Sequence, residues 1–169
     1  MTLLATLMIV TNLGFTAGYD TGIRNPRWVA YDLTPQMVVK GNRPNCAFRA
    51  DPKIGAASDA ESFYKTFPGF DRGHLCPSAD MAANPDAQRE TFYYSNVCPQ
   101  RHGLNAGPWL QSEEEVRRLA QSGTVHVVIV PLDFWLPESD GIKFSRPTRF
   151  VKVAWGAFGA KVWDIGENR

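Results

Sequence analysis

The chain has 169 residues, of which 44% are apolar and 12% aromatic, which is enough to form the core of one ordinary domain. We therefore predict a single domain over residues 1–169. The 18 lysines and arginines against 17 aspartates and glutamates give a formal net charge of +1, which excludes a chain whose whole surface attracts polyanions. Any site for nucleic acid must be local.

The N-terminal segment "MTLLATLMIV" has the apolar run of a secretion signal, but the first basic residue is Arg24, so the charged start of such a signal is missing. A buried first strand, continued by "TNLGFTAGYD", is the alternative. The cellular location is left open, with secretion or the periplasm included. No run approaches the roughly 20 apolar residues of a membrane span, so we expect no membrane partner.

Strand-forming residues come next. "WVAYDL" predicts a strand over residues 28–33 that stops at Thr34-Pro35, and "MVVK" predicts a second short strand. Residues 41–69 are rich in proline and glycine without a sustained period, which indicates long connections.

The second half alternates between helices and strands. Asn84 before Pro85 predicts a short helix over "DAQRE", and "TFYYSNV" predicts a strand. "PWLQSEEEVRRLA" has helical spacing of its apolar residues, and "TVHVVIV", "FVKVAW" and "KVWDI" are typical of strands. The pattern predicts an α+β fold.

Cysteine and two of the histidines have ordinary interpretations. The three cysteines lack zinc-finger spacing, so either one disulfide plus a thiol or three thiols remain open. We predict that His126, inside an apolar strand, is a hydrogen-bonded core residue, and that His102 lies in a surface loop.

The stretch "FDRGHLCP" at residues 70–77 places His74 beside an acid, a base and a glycine. A polar series follows downstream, comprising Asn96, Gln100, Asn105, Glu113 and Arg117. Glu113 and Arg117 are four residues apart on the predicted helix, so a carboxylate and a guanidinium share one face.

These residue types suit phosphodiester hydrolysis, which needs a base to activate water, a cation, and stabilisation of the leaving oxygen. A neutral imidazole, with an ordinary pKa near 6.5, accepts a proton at physiological pH. An amide oxygen such as that of Asn105 is a hard ligand suited to Mg²⁺.

The sequence resembles the DNA/RNA non-specific endonucleases of the ββα-metal (His-Me finger) superfamily. The signature "DRGH" is present as Asp71-Arg72-Gly73-His74. A second block of the family is matched by Asn96, Pro99-Gln100, Leu104-Asn105, Gly107, Trp109, Glu113 and Arg117. The resemblance implies a central antiparallel sheet flanked by helices, with two strands and one helix around a single metal.

The resemblance also implies a role for each matched residue. His74 would be the general base, Asn105 the direct metal ligand, and Glu113 the residue that holds metal-bound water. Arg72 and Arg117 would contact phosphate or the transition state, and Asn96 would brace the site by hydrogen bonds. The cofactor would be Mg²⁺, with Mn²⁺ as a substitute, and the substrates DNA and RNA, bound through backbone phosphates.

One family residue has no direct match. The family arginine five residues before the aspartate of "F-x-x-D-P" falls on Cys46, and a thiol cannot replace a guanidinium. Arg43 and Arg49 are the candidate substitutes for binding substrate. If Phe48 packs inward, Arg49 points to the opposite face, so we favour Arg43.

Two alternatives stay open. A nucleic-acid-binding module that has lost catalysis would be expected to lack at least one of His74, Asn105, Glu113 and Arg117, and all four are present. A narrower nuclease of the same fold, similar to endonuclease G or to a toxin, could have a dedicated inhibitor protein. The sequence leaves the oligomeric state open.

Overall fold

The computed structural model describes residues 7–135 and 145–166. The strands in these ranges are β1 (Leu7–Thr11), β2 (Thr16–Asp20), β3 (Asn25–Leu33), β4 (Phe70–His74), β5 (Val97–Arg101), β6 (Val125–Trp135), β7 (Arg146–Gly156) and β8 (Gly159–Ile165). The helices of six or more residues are α1 (Glu61–Thr66), α2 (Pro85–Glu90) and α3 (Leu110–Ala120).

Six strands form one sheet in the order β1-β2-β3-β6-β7-β8, and each neighbouring pair is antiparallel. β4 and β5 form a separate antiparallel pair. The predicted α+β class is confirmed. The prediction of one domain over residues 1–169 includes segments outside the described ranges and stays a prediction.

The core lies between the inner face of the large sheet and α3. Val125, Val127 and Ile129 alternate along β6 and are buried, as a strand with one covered face requires. From α3, Val116 enters the same core, and Trp109, just before the helix, packs on Phe150 of β7 with ring centroids 5.3 Å apart. This packing anchors the N-terminal end of α3 on the sheet.

The chain enters α3 through two short helical turns, His102–Leu104 and Asn105–Trp109. Gly107 breaks the helical conformation with φ −107° and ψ −112°. Pro108 explains the kink, because proline disfavours helical geometry in the residue before it. The predicted helix is therefore present, but its regular part begins at Leu110.

Two of the strand predictions are wrong. "MVVK" is not a strand: Pro35–Met37 forms a tight helical turn, and β3 already has β2 and β6 as neighbours. "TFYYSNV" is a turn at Tyr94–Asn96 followed by β5, so the strand begins only at Val97. Phe92 and Tyr94 of this stretch are buried by packing against Phe48 rather than by strand pairing.

The prediction that His126 is a core residue is also wrong. It points to the outer face of β6, where its Nδ1 lies 2.7 Å from an Asp32 carboxylate oxygen and its ring stacks on Trp155. The alternation of the strand explains this, since both of its neighbours in the chain are buried.

Other sequence predictions have mixed outcomes. Asn84 caps α2 by accepting hydrogen bonds from the main-chain N–H groups of Asp86 and Ala87, as predicted. The connection 41–69 contains α1 and a helical turn at Gly55–Ser58. All three cysteines are thiols. Within the described ranges, no helix is long and apolar enough to cross a membrane.

Candidate active site

β4 and β5 pair closely because Gly73 leaves room for Gln100. Asp71 is the register partner of Gln100, whose side chain is fully buried. A Cβ at Gly73 would lie 2.1 Å from Oε1 of Gln100. Glycine at this position thus permits the pairing, and Arg72 and His74 on either side of it share one face of the strand.

A cleft of about 360 Å³ opens beside this strand pair. Its lining contains five of the residues predicted from sequence: Arg43, Arg72, His74, Asn105 and Glu113. Residues that the sequence argument did not select also contribute, among them Ser78, Gln88 and Leu110. Asn96, Arg49 and Arg117 do not line the cleft.

His74 lies in an aromatic environment at the wall of the cleft. Its ring centroid is 5.1 Å from that of Phe48 and 4.9 Å from that of Phe92. Burial, reinforced by the positive charge of Arg43, lowers the pKa of His74 to about 3. Its Nε2 is buried and makes no hydrogen bond to a described residue, while its main-chain oxygen accepts a bond of 3.1 Å from Trp109 Nε1.

Asn105 is oriented by the acid of the DRGH motif. Its Nδ2 donates to Oδ2 of Asp71 at 2.9 Å, and His102 Nδ1 lies 2.9 Å from the same oxygen. Because a carboxylate accepts and does not donate, the amide nitrogen must face Asp71. The carbonyl oxygen of Asn105 is left to bind a hard cation from the cleft.

Glu113 presents a carboxylate to the same cleft, one turn into α3. Burial raises the pKa of Glu113 to about 7; the charges of Lys152 and Arg117 oppose the rise and that of Asp80 adds to it. The group is therefore poised between its protonated and ionised forms near neutral pH. The described residues contain no group of three or more His, Cys, Asp or Glu side chains arranged to hold a metal ion.

Arg72 reaches the cleft from a fixed position. Its Nη2 donates to a Glu61 carboxylate oxygen at 2.9 Å, and its guanidinium lies 4.6 Å from the centroid of the Tyr64 ring. The hydroxyl of Tyr94 donates to the same Glu61 oxygen at 2.5 Å. These contacts limit the movement of the guanidinium.

The two candidate substitute arginines lie in different places. Arg43 lines the cleft and has its guanidinium 5.1 Å from the Phe92 ring centroid. Arg49 lies outside the cleft and donates to Cys46 Sγ at 2.8 Å and to the main-chain oxygen of Arg89 at 3.3 Å. Phe48 does pack inward, against His74, as the argument from sequence assumed.

Asn96 is fully buried and holds main-chain groups on both sides of the site. Its Oδ1 accepts from the N–H of Cys76, and its Nδ2 donates to the main-chain oxygens of Cys76 and Thr91, all at 2.8 to 2.9 Å. These are the contacts of a residue that braces the segment after His74.

Arg117 is turned away from the cleft. Its Nη1 donates to Oδ1 of the fully buried Asp80 at 2.8 Å, and the Tyr31 hydroxyl donates to the other oxygen of Asp80 at 2.9 Å. The four-residue spacing from Glu113 was correct for the helix. It did not reveal that a buried carboxylate competes for the guanidinium.

Three supporting residues were missed: Glu61, Asp80 and Lys152. Glu61 and Asp80 lie far in sequence from the arginines that they bind, so no local signal identifies them. Lys152 does have a signal, because in "FVKVAW" it falls at the same alternation as the inward-facing Phe150 and Ala154.

Known proteins of similar sequence include mitochondrial nucleases. The chain is 39% identical over 118 residues to the mitochondrial nuclease EXOG of Danio rerio, which covers 68% of this chain and 34% of that protein. It is 34% identical over 148 residues to the mitochondrial endonuclease G of Homo sapiens, covering 80% of this chain and 50% of that protein. The chain thus spans half or less of the length of these relatives.

A solved structure shares the fold of this chain. The crystal structure of the EndoG/EndoGI complex matches with a TM-score of 0.81 and 27% identity, over 94% of this chain and 74% of that one. This match confirms the ββα-metal fold expected from the resemblance. The model of the DNA/RNA non-specific endonuclease family matches residues 8–162, nearly the whole chain, and the chain therefore belongs to that family.

Proposed function

We propose that this chain is a metal-dependent endonuclease that hydrolyses phosphodiester bonds within DNA and RNA. The observation that carries the proposal is the convergence of a neutral histidine, an amide oxygen, a carboxylate and two arginines on one cleft. Together they supply a base, a cation site and positive charge for the transition state. Membership of a nuclease family supports it.

The donor atoms in the cleft suit Mg²⁺. Asn105 would bind the ion directly through its carbonyl oxygen, and Glu113 would hold a water on it. Mg²⁺ keeps several waters and takes few protein oxygens, and Mn²⁺ accepts the same ligands. When bound, the ion would offset charge on the phosphate and on the leaving oxygen. Asp71 would keep the amide oxygen of Asn105 directed at the ion.

His74 would accept the proton of the attacking water. Its Nε2 is closed off from solvent, so Nδ1 is the nitrogen that a water in the cleft can reach. The ring is neutral at physiological pH because burial disfavours its charged form. An incoming phosphate would favour the imidazolium that forms after proton transfer.

The three arginines near the site would have different tasks. Arg43 and Arg72 line the cleft, and we assign them to the phosphate. Arg117 is held by Asp80, so we assign it to the support of α3 instead. Recognition through phosphates carries no base or sugar information, which fits a nuclease that accepts both DNA and RNA.

An inhibitor protein is a proposed partner. The similar solved structure is a complex of EndoG with EndoGI, and it concerns the mechanism by which EndoG is inhibited. A protein inserted into the cleft of this chain would block access to His74. Binding of such a partner would be measured as loss of nuclease activity on titration.

The proposal is tested by incubating the purified chain with closed circular plasmid, linear DNA and RNA in Mg²⁺, in Mn²⁺ and in EDTA. All three substrates should be cleaved with either metal and none in EDTA. The matched control is His74→Ala, which removes the base and should lower the rate by about 10²-fold or more. Persistence of closed circles while linear DNA disappears would exclude an endonuclease. Binding without cleavage would indicate an inactive nucleic-acid-binding module.

A further inference from the structure

Lys152 is a fully buried lysine on β7, beneath the helix that carries the cleft residues. Its Nζ donates to Ser112 Oγ at 2.7 Å and lies 3.9 Å from the centroid of the Trp109 ring. Lysine is almost never fully buried unless paired, because a buried ammonium loses its hydration. An apolar residue would fill this core position without that cost, so the charge requires an explanation.

Titratable groups of both charge signs act on the ammonium. Glu113, Asp80, Arg117 and the thiol of Cys76 are the titratable groups that face it. Among the charges that act on Glu113, that of Lys152 has the largest effect, and among those that act on Lys152, that of Glu113 has the largest. Ser112, which accepts the hydrogen bond from Lys152, directly precedes Glu113 on α3, so the ammonium lies beside the helical turn that presents this carboxylate.

Lys152 is also linked to His74 through Trp109. Ser112, which accepts the bond from Lys152, donates to the main-chain oxygen of Trp109 at 2.6 Å. The indole Nε1 of Trp109 then donates to the main-chain oxygen of His74 at 3.1 Å. One ammonium thus contacts the indole that fixes His74 and the helical turn that presents Glu113.

We propose that Lys152 is a positioning residue of the nuclease site, whose buried ammonium, bonded to Ser112 and packed on Trp109, holds in place the helical turn that presents Glu113 and the indole that is bonded to the His74 main chain. The inference rests on the proposed function, since it assigns Lys152 to the site through which hydrolysis would occur. A merely structural lysine would contribute to stability and leave the response of the site to pH unchanged.

The test compares Lys152→Met with Lys161→Met. Methionine replaces the lysine with an apolar chain of similar length, and exchange of a buried ion for an apolar group often leaves stability unchanged or raised. Lys161, on β8 and paired with Glu115, is the matched control outside the cleft. We expect Lys152→Met to lower kcat by about 10-fold to 100-fold with KM within about twofold, and Lys161→Met to change neither by more than about twofold.

Two further measurements separate positioning from packing. In Lys152→Met, the acid limb of the pH–kcat profile should move to higher pH, because Glu113 loses the cation that favours its ionised form. In a Glu113→Gln background, Lys152→Met should lower kcat by a smaller factor than in wild type, since the part of the loss that acts through Glu113 is then already present. An unchanged profile, or equal losses in both backgrounds, would overturn the proposal.

A metal-free readout keeps this inference separate from the proposed function. Carbon-13 NMR of the Glu113 carboxyl in EDTA should show a higher titration midpoint in Lys152→Met than in wild type. If Lys152→Met does not fold, Glu113→Gln gives the reciprocal measurement, and the Lys152 ε-carbon should then titrate at lower pH than in wild type. Unchanged midpoints would refute the coupling, whether or not the wild-type chain cleaves nucleic acid.

Discussion

His74 owes its neutral state to its neighbours rather than to the intrinsic properties of imidazole. Phe48 and Phe92 enclose the ring, and burial lowers its pKa to about 3. The expectation from sequence used the ordinary value near 6.5. With His74 neutral throughout the physiological range, the group that changes charge near neutral pH in the cleft is Glu113.

The first prediction concerns the pH dependence of activity, which we expect Glu113 to determine instead of His74. kcat/KM should rise as the pH rises through about 7, because Glu113 must be ionised to accept a hydrogen bond from metal-bound water. Glu113→Gln should lower kcat/KM by about 10-fold to 10³-fold and remove this limb. His126→Ala, whose ring lies on the outer face of β6, is the control. If the limb persists in Glu113→Gln, it belongs to another group.

The second prediction distinguishes the two candidate arginines. Arg43→Ala should lower kcat by about 10-fold to 10³-fold, since this guanidinium lines the cleft without an acidic partner within ion-pair distance in the described ranges. Arg49→Ala should leave kcat nearly unchanged, because Arg49 lies outside the cleft. Both are measured at one fixed ionic strength. A large loss confined to Arg49→Ala would reverse the assignment.

At the scale of elements, the site depends on three segments that meet at one point. β4 supplies Arg72 and His74, β5 holds β4 in register, and the chain entering α3 supplies Asn105 and Glu113. Helical spacing correctly predicted the face of α3, because period and packing agree there. Strand propensity was misleading at "TFYYSNV", where Phe92 packs on His74 and Tyr94 packs on Phe48 instead of lying in a strand.

The third prediction addresses the pairing of β4 with β5. Gly73→Ala should lower the free energy of unfolding by about 1–3 kcal/mol and reduce activity, because the new Cβ would overlap the buried Gln100 side chain. Gly123→Ala, where no atom lies within 4 Å of the added Cβ, is the control. Urea unfolding measures both. Gln100→Ala combined with Gly73→Ala should restore part of the lost stability, and an additive loss would contradict the overlap.

At the scale of the molecule, the large sheet is the support on which the cleft is held. Trp109 packs against β7 and bonds to β4, so it connects the sheet with the smaller strand pair. Burial of charged or titratable groups at this junction makes the stability of the whole chain depend on pH. His74 makes the contribution whose sign is easiest to isolate.

The fourth prediction follows from that sign. The pKa of His74 is about 3 when folded and near 6.5 when unfolded, so between these values the unfolded chain binds the extra proton. The contribution of His74 to stability is therefore present above about pH 6.5 and is lost as the pH falls toward 3. Between pH 6.5 and 4, the free energy of unfolding in urea should fall by about 2–3 kcal/mol more in wild type than in His74→Ala. An equal pH dependence in His74→Ala would contradict the depressed pKa.

The sequence alone determined the family, the α+β class and five residues that line the cleft. The DRGH motif and the spacing from Asn105 to Glu113 are local, and local order in a strand or helix decides which side chains share a face. For this reason the sequence predicts four of the residues that line the cleft, namely Arg72, His74, Asn105 and Glu113.

Only the tertiary structure decided how these groups are charged and which of them are already bound to other side chains. The family resemblance implied that Arg117 contacts phosphate or the transition state, but Asp80, from a distant segment, binds its guanidinium. The depressed pKa of His74 and the raised pKa of Glu113 come from burial, and Lys152, on a later strand, bonds to Ser112 beside Glu113. Desolvation and long-range charge depend on which distant segments pack together, and the order of residues along the chain does not contain that information directly.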